Sequence, residues 1–246
     1  MALLDVRNVS KSFGAIRAVN DVSFSIEPGE VVGLMGDNGA GKSTMVKLIA
    51  GNFPPTNGEV AVNDEVCYFH KPIEARAKGI EVVYQDLAIA DNLTAAQNVF
   101  LGRELMKGIW PFRTLDKQAM IDRSGELFAE LKSETRPPDL VRKMSGGQRQ
   151  AVAIARTRLS NAQLVLMDEP TAAISVRQVA EVLELIRRLK AQGVAVILIS
   201  HRMPDVFAVC ERIIVLRRGT KVTDKQTAAT SPEEITGLIT GAIRAA

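Results

Sequence analysis

The feature that most constrains this chain is the run Gly36-Asp37-Asn38-Gly39-Ala40-Gly41-Lys42-Ser43-Thr44, which fits the pattern of a glycine, four residues, Gly-Lys and a Ser or Thr. The apolar run Val31 to Met35 precedes it as a buried strand would. Ser43 to Ala50 follows with helical spacing and is closed by Gly51. A glycine-rich turn between a buried strand and a helix commits the chain to α/β layering and places a phosphate-binding loop at the turn. Its glycines let successive N–H groups turn inward around phosphate oxygens, and the helix N-terminus adds partial positive charge behind them. Lys42 is expected to reach the β- and γ-phosphates of a nucleoside triphosphate, and the Ser43 hydroxyl to coordinate a bridging Mg²⁺.

With 246 residues, 46% hydrophobic and 24% charged, the chain suits one large α/β domain or one with a subdomain. A net charge of +3, with basic residues spread along the sequence, gives nucleic-acid binding no support. The longest apolar stretches, Leu164 to Met167 and Val194 to Ile199, fall well short of the roughly 20 residues of a membrane helix. The N-terminus lacks the basic region and apolar core of a signal peptide, so a cytoplasmic location is expected. Cys67 and Cys210 are far apart and join no cluster, and read as small core residues. The two histidines, His70 and His201, cannot alone build a metal site of the usual ligand count.

Along the chain, residues 2 to 27 read as strand segments of an antiparallel start, clearest at Val22 to Ile26. After the loop and its helix come a strand at Gly58 to Val62, a turn at Asn63-Asp64, a helix over Pro72 to Lys78 and a strand at Ile80 to Tyr84. Between about 87 and 158 the strand signal fades. Thr94 to Leu101 and Asp116 to Leu131 read as helical, the latter with Met120, Leu127, Phe128 and Leu131 on one face. Strands return at Gln163 to Met167, Val194 to Ile199 and Arg212 to Leu216, with a hairpin turn at Arg217 to Thr220. The alternation predicts a twisted, largely parallel sheet.

Leu164 to Met167 ends in two carboxylates, Asp168 and Glu169. Beside a phosphate loop, Asp168 is placed for the Mg²⁺ and its waters, which leaves Glu169 free to orient or deprotonate an attacking water. Met144-Ser145-Gly146-Gly147-Gln148 then opens a helical run from Arg149 through Arg156. Bottom-up, this is a hydroxyl and two glycine amides at a helix start, a second anion site on one chain.

That segment resembles the signature sequence of the ABC ATPases, with Met144 where the family usually has Leu, and the resemblance covers nearly the whole chain. It implies a P-loop NTPase core of mostly parallel sheet (1–86 and 159–246), with an N-terminal antiparallel β part and an inserted helical signature subdomain (87–158). It implies a head-to-tail dimer, in which Ser145, Gly146, Gly147 and Gln148 of one subunit close over the ATP held by residues 36–44 of the other. Phe13 matches the aromatic that stacks on adenine. Gln85 matches the glutamine that senses the γ-phosphate through Mg²⁺, and His201 the switch histidine that contacts that phosphate. After Glu169-Pro170-Thr171 most members continue toward an Asp, whereas this chain has Ser175 there.

Glu169 to Ala173, Phe69 to Arg76 and the segments Asp91 to Thr94 and Asn98 to Glu104 are similar to the ribose-, xylose- and fructose-type branch of bacterial sugar importers. The resemblance thus implies an ATP-hydrolysing motor subunit, lying peripherally on the inner face of the cell membrane. Its partners would be a second ATPase subunit, a homodimer first of all, a membrane permease and, indirectly, an exported solute-binding protein. An exporter ATPase or a soluble ABC-type ATPase without a permease is the alternative. A single ATPase copy and no further β-rich regulatory domain are read from the chain's length.

Overall fold

In the computed structural model, residues 1–83, 89–159, 162–172 and 175–243 are described. The chain opens with two long strands, β1 (Leu4–Phe13) and β2 (Ile16–Ile26), then β3 (Val31–Met35) and α1 (Lys42–Ile49). Next come β4 (Asn57–Val62), β5 (Glu65–Cys67), α2 (Pro72–Ala77) and β6 (Ile80–Val83). After it come α3 (Ala95–Val99), the short pair β7 (Met106–Lys107) and β8 (Thr114–Leu115), α4 (Lys117–Glu130) and α5 (Gly146–Arg158). The remainder alternates β9 (Leu164–Asp168), α6 (Val176–Ala191), β10 (Ala195–Ile199), α7 (Met203–Val209), β11 (Arg212–Arg217), β12 (Thr220–Gln226) and α8 (Pro232–Thr240).

The central sheet has six strands in the order β12-β11-β3-β10-β9-β6, parallel except for the antiparallel edge β12. A second, antiparallel sheet of order β2-β1-β4-β5 packs over it. Strands buried on both faces are continuous apolar runs whose alternate residues feed different cores. Val32, Leu34, Ile197 and Leu166 join α1 and the antiparallel sheet in one cluster. Val31, Met35, Val196 and Val165 join α3 to α7 in the other. The helices that follow β6 therefore share a continuous core with the central sheet instead of closing one of their own.

Two departures from the sequence expectations stand out. Between 87 and 158 the strand signal is not wholly absent, because β7 and β8 form a pair of two-residue strands, too short to leave a period in the sequence. α8 is not among the sequence expectations, although Ser231-Pro232-Glu233-Glu234 carries a helix start: the Ser231 hydroxyl accepts from the Glu234 amide, and proline and two acids fill the first turn. Cys67 and Cys210 are both buried and free, as core residues of their type are.

Candidate nucleotide site

α1 starts at Gly41, which has φ 102° and is followed by no side-chain cap. Its first N–H groups are thus not taken up by a neighbouring hydroxyl or carboxylate and face the loop. Two glycines are required by space. A Cβ on Gly36 would sit 2.3 Å from the Leu216 carbonyl oxygen, and one on Gly41 would sit 2.7 Å from that of Ala18. The loop is drawn against β2 and the β11–β12 turn, where Gly219 N–H donates to the Ala40 oxygen at 3.0 Å and Asn20 N–H to the Gly219 oxygen at 2.7 Å. Asp37, Asn38 and Gly39 are exposed, Ala40 is buried, and Ser43 is exposed beside the half-buried Thr44.

Lys42 folds back over this loop. Its Nζ donates to the carbonyls of Gly36 at 2.6 Å and Asp37 at 3.0 Å. Burial lowers its pKa, offset in part by the charges of Glu169, Asp168 and Asp37. Those charges are close because of register: β3, β10 and β9 are parallel neighbours, with Ile199 opposite both Leu34 and Asp168. Asp168 ends β9 half-buried, its pKa raised by burial first and by Glu169 second, with Lys42 and Lys47 pulling the other way.

Glu169 follows at φ 51°, a left-handed conformation that costs a non-glycine residue about 1 kcal/mol or more. It is held there by its N–H donating to the Ile199 oxygen at 2.9 Å and by its own carbonyl accepting from Ala172 at 3.1 Å. The turn aims the Glu169 carboxylate at His201, whose Nδ1 lies 2.8 Å from Oε2. That approach lacks hydrogen-bond alignment, and Oε2 is buried with no other partner. His201 itself is 69% exposed on the side chain, so Glu169 is the inner and His201 the outer member of the pair. Lys42, Asp168, Glu169 and His201 thus meet at the C-terminal edge of the sheet, where open α/β sheets take ligands.

The other expected residues lie elsewhere. Phe13 closes the β1–β2 hairpin, 48% exposed, in an edge-to-face contact with Phe53 at 5.3 Å. Lys11 Nζ covers both rings, at 5.5 and 4.7 Å from their centroids. Ser145 caps α5 through a reciprocal pair: its hydroxyl accepts from Gln148 N–H at 3.3 Å, and Gln148 Oε1 accepts from Ser145 N–H at 3.0 Å. The hydroxyl keeps its proton to donate outward. Gly146 opens the helix, and Gly147 is buried where a Cβ would meet Glu181 Oε2 of α6 at 2.2 Å. A cavity of about 710 Å³ opens beside these residues, bordered by Ser145, Gln148, Ser175, Gln178 and Arg188, and no residue of the 36–44 loop lines it. The signature and the loop are therefore separate faces of one chain. Gln85 lies outside the described residues.

Three contributors have no motif to announce them. Phe53 and Lys11 flank Phe13. Asp205, 3% exposed, accepts from the buried Thr171 hydroxyl at 2.6 Å, while Arg202 Nε lies 3.4 Å from the same carboxylate. This network ties the turn after Glu169 to the start of α7 behind His201. Ser175, at the position where most members of the resembled family have Asp, caps α6 as Ser145 caps α5, accepting from Gln178 N–H at 3.4 Å.

A divalent cation fits the loop side. Among the described residues no three His, Cys, Asp or Glu gather as a protein-only metal site. Ser43 and Asp168 instead supply the sparse oxygen set of a Mg²⁺ ligated mainly by phosphates and water.

The comparisons agree with this geometry. The family model described as ABC transporter matches residues 19–172, more than half of the chain. A xylose/arabinose import ATP-binding protein of Sulfolobus acidocaldarius is 45% identical over 241 residues, 97% of this chain and 94% of that protein. A ribose import ATP-binding protein of Burkholderia cenocepacia is 38% identical over 97% of this chain, which spans 46% of that relative's length. Among solved structures, a nucleotide-free ATP-binding cassette from an ABC transporter superposes with a TM-score of 0.82 at 24% identity, over 98% of this chain and 96% of that one. A dimeric post-hydrolysis cassette bound to ADP and Pi superposes at 0.73 and 26% identity, over 91% of this chain and 98% of that one. The open loop, the acidic strand end and the separate serine–glycine helix start, together with these matches, make the chain an ATP-binding cassette of the ABC transporter family.

Proposed function

We propose that this cassette drives import of a pentose or similar monosaccharide through a membrane permease, as a head-to-tail dimer on the inner face of the membrane. The observation that carries the reading is the meeting of Lys42, Asp168, Glu169 and His201 at one sheet edge, joined to relatives named for import of xylose/arabinose and ribose. Residues 36–44 bind the triphosphate, and Lys42 exchanges its two loop carbonyls for phosphate oxygens. Ser43, Asp168 and Gln85 would hold a Mg²⁺, which would supply positive charge against the β- and γ-phosphates.

Glu169 accepts a proton from, or orients, the water that attacks the γ-phosphate, and its constrained backbone fixes the direction of that carboxylate. His201, exposed at the rim, contacts the γ-phosphate and links it to Glu169. Ser145 to Gln148 of the partner copy donate to the same phosphate, and Phe13 offers a face to the adenine. Residues 87–158 form the helical subdomain that Gln85 couples to the core, and closure of the dimer transmits force through it to the permease.

The test is Glu169→Gln. ATP hydrolysis falls on the order of a hundredfold or more, since a positioned base contributes at least that, while ATP affinity is retained and MgATP converts the monomer to a dimer on size-exclusion chromatography. Wild-type turnover in this variant, or no nucleotide-dependent dimer, rejects the reading.

A further inference from the structure

The hairpin between α3 and α4 has a chemistry that ATP turnover does not explain. Every residue from 104 to 115 is exposed. β7 and β8 pair through only Met106 with Leu115 and Lys107 with Thr114, and the base is closed by Asp116 N–H donating to the Leu105 oxygen at 2.7 Å. At the tip stand Ile109, Trp110 and Phe112, 86%, 82% and 84% exposed, with Met106 and Leu115 partly exposed below them. A two-stranded hairpin is marginal by itself, and this one keeps its largest side chains away from its own core. Of the other large exposed apolar residues, Ile16 pairs with Phe13 in the β1–β2 hairpin, Leu101 and Leu105 precede this hairpin, and Tyr68, Ile73 and Val176 are separated along the chain.

Charge selects the occupant. Between Met106 and Leu115 the only charged residues are Lys107 and Arg113, both basic and exposed, one on each side of the apolar tip. Lys107 Nζ lies 4.0 Å from the Asp116 carboxylate at the base but stays mostly exposed, so an aromatic and aliphatic tip carrying an indole, with cations set behind it and no acid within the tip, is complementary to a bilayer with anionic headgroups. The rings enter the acyl boundary, the indole N–H stays at the interface, and the ammonium and guanidinium meet lipid phosphates. We infer that the 106–115 hairpin is an interfacial anchor that inserts Ile109, Trp110 and Phe112 into an anionic lipid surface. The inference rests on the importer reading for its setting, since a subunit working against a permease lies beside a bilayer.

Trp110 is the chain's one tryptophan, so its fluorescence reports the tip alone. The purified full chain, without nucleotide or permease, is titrated with phosphatidylglycerol-containing vesicles. The emission shifts to the blue and is quenched by brominated acyl chains, and phosphatidylcholine vesicles give far weaker binding. Ile109→Ser with Phe112→Ser, and separately Lys107→Ser with Arg113→Ser, keep the reporter and each weaken binding roughly tenfold or more, with ATP affinity unchanged as the check on folding. Two results overturn the inference: emission that stays at its aqueous position with anionic vesicles, which is also what a tip built for a protein contact would give, or equal binding to both lipids. Because the titration uses neither ATP turnover nor dimerisation, its failure and that of the importer reading are separately visible.

Discussion

At the scale of single residues, the site depends on a few side chains held under constraint. Glu169 occupies a left-handed backbone conformation, and its buried Oε2 faces His201 Nδ1 at 2.8 Å without an aligned hydrogen bond. Lys42 spends its ammonium on two carbonyls of its own loop while burial works against its charge. Lys42→Ala removes a charge-assisted contact made already in the ground state. ATP affinity measured by calorimetry is therefore expected to fall roughly tenfold to a hundredfold, and unchanged affinity would take Lys42 out of the site. The residue types and their spacing marked these positions as candidates. The facing of His201 toward Glu169, and the Asp205 network behind it, were not legible, because no window of sequence contains both partners.

At the scale of elements, three helix starts divide the work. α1 begins after a glycine that offers no side-chain cap, so its first amides have no hydroxyl or carboxylate cap. α5 and α6 each begin with a serine whose hydroxyl is engaged by a glutamine amide three residues on. The departure at Ser175 is thus a substitution of one good capping residue for another. Ser175→Ala is expected to cost about 1 kcal/mol, read as a melting temperature lower by a few degrees. Ser175→Asp keeps the cap, adds a favourable charge at the helix start and melts no lower than the parent. If Ser175→Ala melts unchanged, the cap contributes nothing to α6.

At the scale of the molecule, the strand order sets function against stability. Asp168 is carried to the sheet edge half-buried, with its pKa raised by burial and by Glu169. A carboxylate whose pKa is higher in the folded than in the unfolded chain contributes its stability below the ordinary carboxylate range and loses it as pH rises through the raised value. At neutral pH, ionised Asp168 therefore opposes folding of the nucleotide-free chain. Asp168→Asn is expected to raise the nucleotide-free melting temperature at pH 7, with the difference shrinking as the pH falls into the carboxylate range. A variant that melts lower at pH 7 would mean that Asp168 is held by favourable charge after all.

The α/β class, most strands and helices and the candidate residues of the site were readable from the sequence, because loop, acidic strand end and signature are each contiguous and each obeys a local rule of spacing. Tertiary pairing brings the ends of β9, β10 and β3 side by side, so that residues 42, 168, 169 and 201 share one edge. The tertiary structure also decided that the helical segment shares the core of the sheet and that Ile109, Trp110 and Phe112 stay outside it. Those outcomes depend on which strands pair and what each face packs against, energies shared among residues far apart in the chain, and no local pattern encodes them.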